Sequence, residues 1–149
     1  MIQAEREEFI KELSEQFFQS EFADGLTSIQ IPDRDAIKIK QKGGDEALHF
    51  EVCFKHGPKP QIEIAFHDHL EGKKLEARKA RINKAMKQAK EVIRESGVRF
   101  RYEPEWRRDW SRLYTLYPPI GLEDVEPVLE RLWVLIECLK PKLDRIQWG

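Results

Sequence analysis

Residues 98–117 concentrate the side chains that could do recognition chemistry. This segment carries five arginines among six aromatic residues. A guanidinium holds phosphates or carboxylates with paired hydrogen bonds, and an aromatic face stacks on a nucleobase. The pattern indicates a binding surface, and we assign no catalytic residue. The candidate binding residues of the segment are Arg99, Arg101, Trp106, Arg107, Arg108, Trp110, Arg112 and Tyr114.

The charge of the chain is concentrated around this segment. The whole chain has a net charge of −1, but residues 72–112 hold 14 basic and six acidic residues, a net charge of +8. A nearly neutral protein with such a segment can present a basic face to a polyanion. We expect Lys84 and Lys87, in the helix that precedes the segment, to add long-range attraction. The alternative is an ordinary solvated helix face.

Four histidines, His49, His56, His67 and His69, fall within 21 residues. If a hairpin turns at residues 56–59, His49 approaches the other end of the hairpin, and imidazoles suit zinc or another transition metal. The spacing matches no recognised ligand motif. We therefore assign no metal-binding residue and expect no cofactor, while the question whether His49, His67 and His69 bind a metal stays open.

A nuclease core is a further alternative. Restriction-type enzymes use an acid followed by a strand with Glu-x-Lys, which holds a metal ion and positions water. Asp33 or Asp35 precedes a strand that carries Glu51 and Lys55. Their spacing is two residues too long, although both side chains point to the same side of the strand. The sequence thus favours binding over catalysis.

Apolar residues at helical spacing predict three helices. These helices cover residues 2–22, 70–96 and 122–139, and Pro141 is expected to end or kink the last one.

Alternating apolar residues predict strands between the helices. Short strands surround Ile29 and Ile37, and longer strands cover residues 48–54, 62–66, 98–103 and 110–117. The order helix, strands, helix, two strands, helix predicts a single α+β domain over residues 1–149. We expect an antiparallel sheet of about five to six strands, packed on helices on one side.

The alternation also predicts which side chains face away from the helices. If Phe100 faces the helices, Arg99 and Arg101 point to the open face. The strand over residues 110–117 leaves two alternatives. The residues facing out are either Trp110, Arg112, Tyr114 and Leu116 or Ser111, Leu113, Thr115 and Tyr117.

Composition indicates a globular protein. The chain has 149 residues, of which 40% are hydrophobic and 36% charged, and two cysteines make no disulfide framework. The N-terminus lacks the basic and apolar regions of a signal peptide, and no apolar run reaches the length of a membrane span. We expect a cytoplasmic location and no membrane partner.

From about residue 48 to residue 143, the chain resembles an uncharacterised α+β domain appended to restriction-type nucleases and DNA methylases. The similar features are a Phe-Glu-Val-Cys-Phe strand, a Lys/Arg-rich helix, the sequence Val-Arg-Phe-Arg-Tyr-Glu, the sequence Arg-Arg-Asp-Trp-Ser-Arg-Leu-Tyr and a closing helix with Glu and Trp. The resemblance implies a DNA-linked context and transfers no catalytic residues.

The basic and aromatic residues are also similar to those of small thermophile single-stranded DNA-binding proteins, which use a sheet-and-helix cleft. The element order resembles secretion chaperones, which bind effector proteins as dimers but are typically acidic. We therefore expect non-enzymatic binding of nucleic acid, with single-stranded DNA as the first candidate. The alternative is a dimeric protein-interaction or chaperone-like module that pairs through the alanine-rich face of the long helix or through exposed strand edges.

Overall fold

The strands form one antiparallel sheet. The computed structural model describes residues 1–31, 35–107, 109–146 and 148. Within these residues the sheet has six strands in the order β1-β2-β3-β4-β6-β5. The strands are β1 (Leu26–Ile31), β2 (Ala36–Gln41), β3 (Leu48–Lys55), β4 (Gln61–Asp68), β5 (Arg101–Arg107) and β6 (Trp110–Tyr117). The long connection after β4 leads to the edge strand β5, and β6 returns between β4 and β5.

Three α-helices complete the fold and confirm the predicted α+β order. They are α1 (Gln3–Phe18), α2 (Glu76–Arg94) and α3 (Val125–Arg145). Short 3-10 turns follow α1 and precede α2 and α3. Among the described residues, none of these helices has a run long and apolar enough to cross a bilayer.

One face of the sheet packs against the helices to form the core. The strand residues in this core include Phe50, Val52, Ile64, Phe66 and Leu113, all without solvent exposure. The period-two alternation of a strand then sends their neighbours to the opposite face, which we call the polar face. Because Leu113 faces the helices, Trp110, Arg112, Tyr114 and Leu116 point to the polar face. The first of the two alternatives for β6 is therefore correct.

Several element boundaries differ from the prediction. The first helix ends at Phe18 rather than at residue 22. The second begins at Glu76 rather than at residue 70, because Gly72 has a φ of 103°, which a right-handed helix cannot include. β5 begins at Arg101 rather than at residue 98 and continues to Arg107.

The last helix continues through Pro141, which was expected to end or kink it. Proline lacks a backbone N–H and costs the helix one hydrogen bond. The turn after Pro141 nevertheless carries Leu143, whose side chain is fully buried. We attribute the continuation to this burial, which is worth roughly 1.5–3 kcal/mol for a leucine.

A buried carboxylate fixes α2 on the sheet. Asp68, at the end of β4, has no solvent exposure. Its oxygens accept hydrogen bonds from Lys79 Nζ at 2.8 Å, Asn83 Nδ2 at 3.1 Å, Ser111 Oγ at 3.1 Å and the backbone N–H of Leu70 at 2.9 Å. Two of these donors lie on α2 and one on β6, so Asp68 joins the helix to the middle of the sheet.

Asp124, just before α3, provides a test of pH dependence. Its carboxylate accepts hydrogen bonds from the backbone N–H groups of Ile120 and Gly121 and from the hydroxyl of Tyr117. Burial opposes the charge, but these hydrogen bonds outweigh burial and hold the pKa of Asp124 below its ordinary value. The stabilisation is therefore present above the ordinary pKa of about 3.8 and is lost as the pH falls through the lowered pKa.

We expect Asp124→Ala to lower the free energy of unfolding at pH 7 by about 1–3 kcal/mol. The difference from the unmodified protein should shrink as the pH falls below 3.8. Urea denaturation over a pH series measures both effects. The control is Asp24→Ala, which changes an exposed aspartate. A difference that does not depend on pH would contradict the assigned role of the carboxylate.

Candidate functional site

Three histidines lie together at one end of the β3–β4 hairpin. His49 and His67 are paired directly across the two strands, and the backbone N–H of His69 donates to the carbonyl oxygen of Ala47 at 2.8 Å. The centroids of the three rings are between 5.0 and 5.3 Å apart. The predicted approach of His49 to the other two histidines is therefore confirmed.

Two of these rings are oriented by hydrogen bonds. Nδ1 of His49 lies 2.9 Å from the carbonyl oxygen of Glu46, and Nε2 of His67 lies 2.7 Å from Oε2 of Glu63. Because a carbonyl and a carboxylate accept hydrogen bonds, these two nitrogens carry the protons. The remaining nitrogens, Nε2 of His49 and Nδ1 of His67, have no hydrogen-bond partner among the described residues, and neither does Nε2 of His69.

Most of the cluster is buried, and His69 is its partly exposed member. His49 is fully buried, His67 is 3% exposed and the neighbouring Glu51 is 1% exposed. Burial lowers the pKa of His49 and lowers the pKa of His69 to about 3, so both rings are neutral at pH 7. Oε1 of Glu51 lies 3.7 Å from Nε2 of His49, and Oε2 lies 3.8 Å from Nδ1 of His67. These oxygens face the nitrogens but are too far away for hydrogen bonds.

Glu63 is the central carboxylate of the polar face and has no solvent exposure. Nη1 of Arg112 lies 2.5 Å from Oε1 of Glu63, and Nζ of Lys55 lies 3.5 Å from the same oxygen. Nη2 of Arg112 also donates to Glu103 at 3.0 Å. Burial opposes the charge of Glu63, but the hydrogen bond with His67 and the charges of Lys55 and Arg112 hold its pKa below the ordinary value.

Aromatic rings cover this ion pair. The guanidinium of Arg112 lies 3.9 Å from the ring centroid of Tyr114 and 4.7 Å from that of Trp106. Trp106 also contacts the ring of His67, and Trp110 stacks on His69 with centroids 3.8 Å apart. The row of Trp110, Arg112 and Tyr114, which follows from the first of the two alternatives for β6, therefore exists on the polar face. Its guanidinium is engaged by two carboxylates, however, and Tyr114 is only 7% exposed.

An irregularity in β5 accompanies the position of Trp106. Glu103 pairs with Arg112 and Arg107 pairs with Trp110, so β5 advances four residues while β6 advances two. Pro104 lies in this stretch, where an edge strand tolerates a residue without an N–H donor. A regular strand would place Trp106 on the same side as Tyr102, which faces α2, so the regular alternation used for the sequence prediction fails here.

Arg99 and Arg101 lie elsewhere, in a cleft of about 490 Å³ between the C-terminal part of α2 and strands β5 and β6. We call this the basic cleft. Four of its five charged residues are basic, and none of these four forms an ion pair with a carboxylate in the described part of the chain. The cleft is lined by Lys90, Glu91, Arg94, Arg99, Phe100, Arg101, Tyr114, Thr115 and Leu116.

The other predicted binding residues are scattered. Lys84 lies in a second groove on the opposite flank of α2. The ammonium of Lys87 is 5.6 Å from the ring centroid of Tyr102, and the guanidinium of Arg107 is 5.2 Å from that of Trp106. Arg108, like Asp33 of the nuclease alternative, lies outside the described residues.

Sequence reasoning missed two residues of the basic cleft, Lys90 and Arg94. Their spacing of four residues places them on one helix face, and Gly97 turns the chain directly back to Arg99. This short connection could have predicted that Lys90 and Arg94 lie close to Arg99. Reasoning also missed Glu63 as the partner of Arg112, because these residues are 49 positions apart and nothing local pairs β4 with β6.

The pairing of Arg112 with Glu63 leads to a stability prediction. Arg112→Met retains most of the side-chain volume but leaves a buried carboxylate without its main cation. We expect a loss of about 3–5 kcal/mol in the free energy of unfolding at pH 7. Urea denaturation provides the measurement.

The matched control is Arg101→Met, on the same face of the neighbouring strand. Arg101 is exposed and forms no ion pair within the described ranges, so its replacement should change stability by less than about 0.5 kcal/mol. If both variants lose the same free energy of unfolding, the ion pair of Arg112 contributes no more to stability than an exposed arginine does.

Comparisons with known protein families, with curated proteins and with solved structures find no match for this chain. The resemblances to the restriction-associated domain, to single-stranded DNA-binding proteins and to secretion chaperones therefore stay predictions from sequence. The candidate sites rest on their own geometry.

Proposed function

We propose that this protein binds nucleic acid, with single-stranded DNA as the preferred form, through the basic cleft. The observation that carries the proposal is the set of cations in the cleft that lack a carboxylate partner. Of the described lysines and arginines, Arg6, Lys55, Lys79, Arg112 and Lys140 form ion pairs with acids, so what distinguishes the cleft is that four unpaired cations line one concave surface. Cations that are not neutralised internally are available to phosphate groups.

A second row of cations extends the cleft into a track suited to a polymer. The groove on the other flank of α2 contains Arg81, Lys84, Lys142 and Arg145. Lys87 is exposed on the helix between the groove and the cleft. A single bound phosphate would not need cations on both flanks of a helix, whereas a polyanion that crosses α2 would meet both sets.

The concave shape of the cleft favours a single strand. Duplex DNA is stiff, with a persistence length of roughly 150 base pairs, and does not bend into a small cleft, whereas a single strand can follow one. Arg112 and Tyr114 are engaged with each other and with acids, so we assign the contacts to phosphates rather than to stacked bases. Binding should therefore show weak sequence preference. A cytoplasmic location belongs to the same proposal.

The alternatives meet specific obstacles. A homodimer through the alanine-rich face of α2 would have to use residues already buried in the core, since Ala85 is 5% exposed and Ala89 is fully buried. Such a dimer needs another surface, and sedimentation velocity at several protein concentrations tests for it. The nuclease alternative requires Lys55 beside Glu51, but the ammonium of Lys55 contacts Glu63. Nicking of plasmid DNA that depends on Mg²⁺ would favour the nuclease.

Fluorescence anisotropy of a labelled oligothymidylate tests the proposal. With about four phosphate contacts in the cleft and up to about four more in the groove, the logarithm of the association constant for a single strand should fall with the logarithm of salt concentration with a slope between about −3 and −6. We expect the double variant Lys90→Glu/Arg99→Glu to bind at least about tenfold more weakly at about 50 mM salt, with a slope reduced by about 1.4.

The matched control is Lys11→Glu/Lys42→Glu, which changes the net charge equally at two exposed lysines on other elements. This control should retain the affinity of the unmodified protein to within about threefold, since more distant exposed charges are screened by salt. If both double variants weaken binding equally, the weakening comes from the change in net charge and not from the loss of a site in the cleft. Absence of binding at low salt would reject the proposal. Strong quenching of tryptophan emission on binding would indicate that the oligonucleotide binds at Trp106 and Trp110 instead of in the cleft.

A further inference from the structure

The histidine cluster has features that packing alone does not explain. Each of His49, His67 and His69 offers a ring nitrogen within 4.8 Å of the others. One nitrogen of each ring has no hydrogen-bond partner among the described residues, and two of these rings are at most 3% exposed. A buried polar atom without a partner is costly, and an ion that binds it is one recognised explanation.

The orientation of the rings matches the arrangement around bound metals. A metal-ligating histidine usually donates its other N–H to a backbone carbonyl or a carboxylate, which fixes the ring and its tautomer. His49 does this with the carbonyl of Glu46, and His67 does it with the carboxylate of Glu63. Both hydrogen bonds leave the lone pair of the second nitrogen directed at the cluster.

Glu51 is the carboxylate nearest to the inward nitrogens of His49 and His67 and is our candidate for a fourth ligand. Its two oxygens lie 3.7 and 3.8 Å from the inward nitrogens of His49 and His67. Two ligand atoms bound at roughly 2.1 Å to a tetrahedral ion stand roughly 3.4 Å apart, so each of these two distances is close to that of a pair of ligand atoms. Glu51, Glu63 and His67 form a second possible ligand set, but both oxygens of Glu63 are already used by His67 and Arg112.

We propose that His49, His67, His69 and Glu51 form a four-ligand site for Zn²⁺ or a chemically similar transition-metal ion. Three imidazoles and one carboxylate suit such ions, whereas Mg²⁺ and Ca²⁺ prefer oxygen ligands. The ligands come from β3, from β4 and from the residue that follows β4. Four protein ligands fill the coordination of such an ion, and three of them are buried, so its role is structural rather than catalytic.

Metal titration of the intact chain tests this site without nucleic acid, so the outcome is independent of the proposed function. Protein freed of metal with a chelator is titrated with Co²⁺ and then with Zn²⁺. We expect one ion per chain, the visible absorption of tetrahedral Co²⁺, displacement of Co²⁺ by Zn²⁺ and a higher melting temperature with Zn²⁺.

The ligand variants are His69→Gln and Glu51→Gln. His69 is the least buried of the three histidines, so its variant is the one best tolerated by the fold, and circular dichroism checks that it folds. Loss of a group that only orients a metal ligand weakens metal binding by about tenfold to a hundredfold. His69 is proposed as a ligand itself, so we expect its variant to bind Zn²⁺ at least about a hundredfold more weakly. Glu51→Gln should alter the Co²⁺ spectrum.

The matched control is His56→Gln, which replaces the exposed histidine in the β3–β4 turn. This control should bind Zn²⁺ like the unmodified protein. The proposal is overturned if the unmodified protein binds neither Co²⁺ nor Zn²⁺ saturably, if His69→Gln binds Zn²⁺ as tightly as His56→Gln, or if Mg²⁺ or Ca²⁺ binds in preference to Zn²⁺.

Discussion

A fully buried carboxylate, that of Glu63, constrains the polar face of the sheet. An ionised carboxylate away from water costs several kcal/mol unless cations and hydrogen-bond donors surround it. Lys55 of β3, His67 of β4 and Arg112 of β6 provide that environment. One charge therefore fixes side chains from three adjacent strands, and through Arg112 it also engages Glu103 on the edge strand β5.

This constraint divides the Arg–aromatic segment into two surfaces. Arg112 is engaged by acids, and Trp106 and Tyr114 pack on its guanidinium instead of on a ligand. Arg101 stands opposite Tyr114 in the register rather than opposite an acid, so its charge stays available at the edge of the sheet. Arg112 faces the carboxylate of Glu103 across the strands and is neutralised, whereas Arg101 faces Tyr114 and is not. The partner across the strands thus decides whether an arginine stabilises the fold or stays available to a ligand.

The sequence could predict features that depend on local periodicity. Alternation placed Arg101 on the polar face, because a strand with one buried face has a fixed period of two. A hairpin that turns near residues 56–59 was sufficient to bring His49 to His67. The pairing of β4 with β6 was beyond local patterns, because a helix separates them in the chain. The irregularity in β5 and the continuation of α3 through Pro141 depend on tertiary packing, and their local signals, Pro104 in β5 and Leu143 in the apolar stripe of α3, were too weak to establish them.

Tyr114 connects the basic cleft to the polar face that carries the histidine cluster. Its ring lies under the guanidinium of Arg112, and it also lines the basic cleft. A chain of contacts therefore runs from the cleft through Arg112 and Glu63 to His67. Coupling between two sites requires an element with two alternative arrangements. Glu63 is fully buried and paired on several sides, which favours a single arrangement, so this geometry supports two sites that bind their ligands independently.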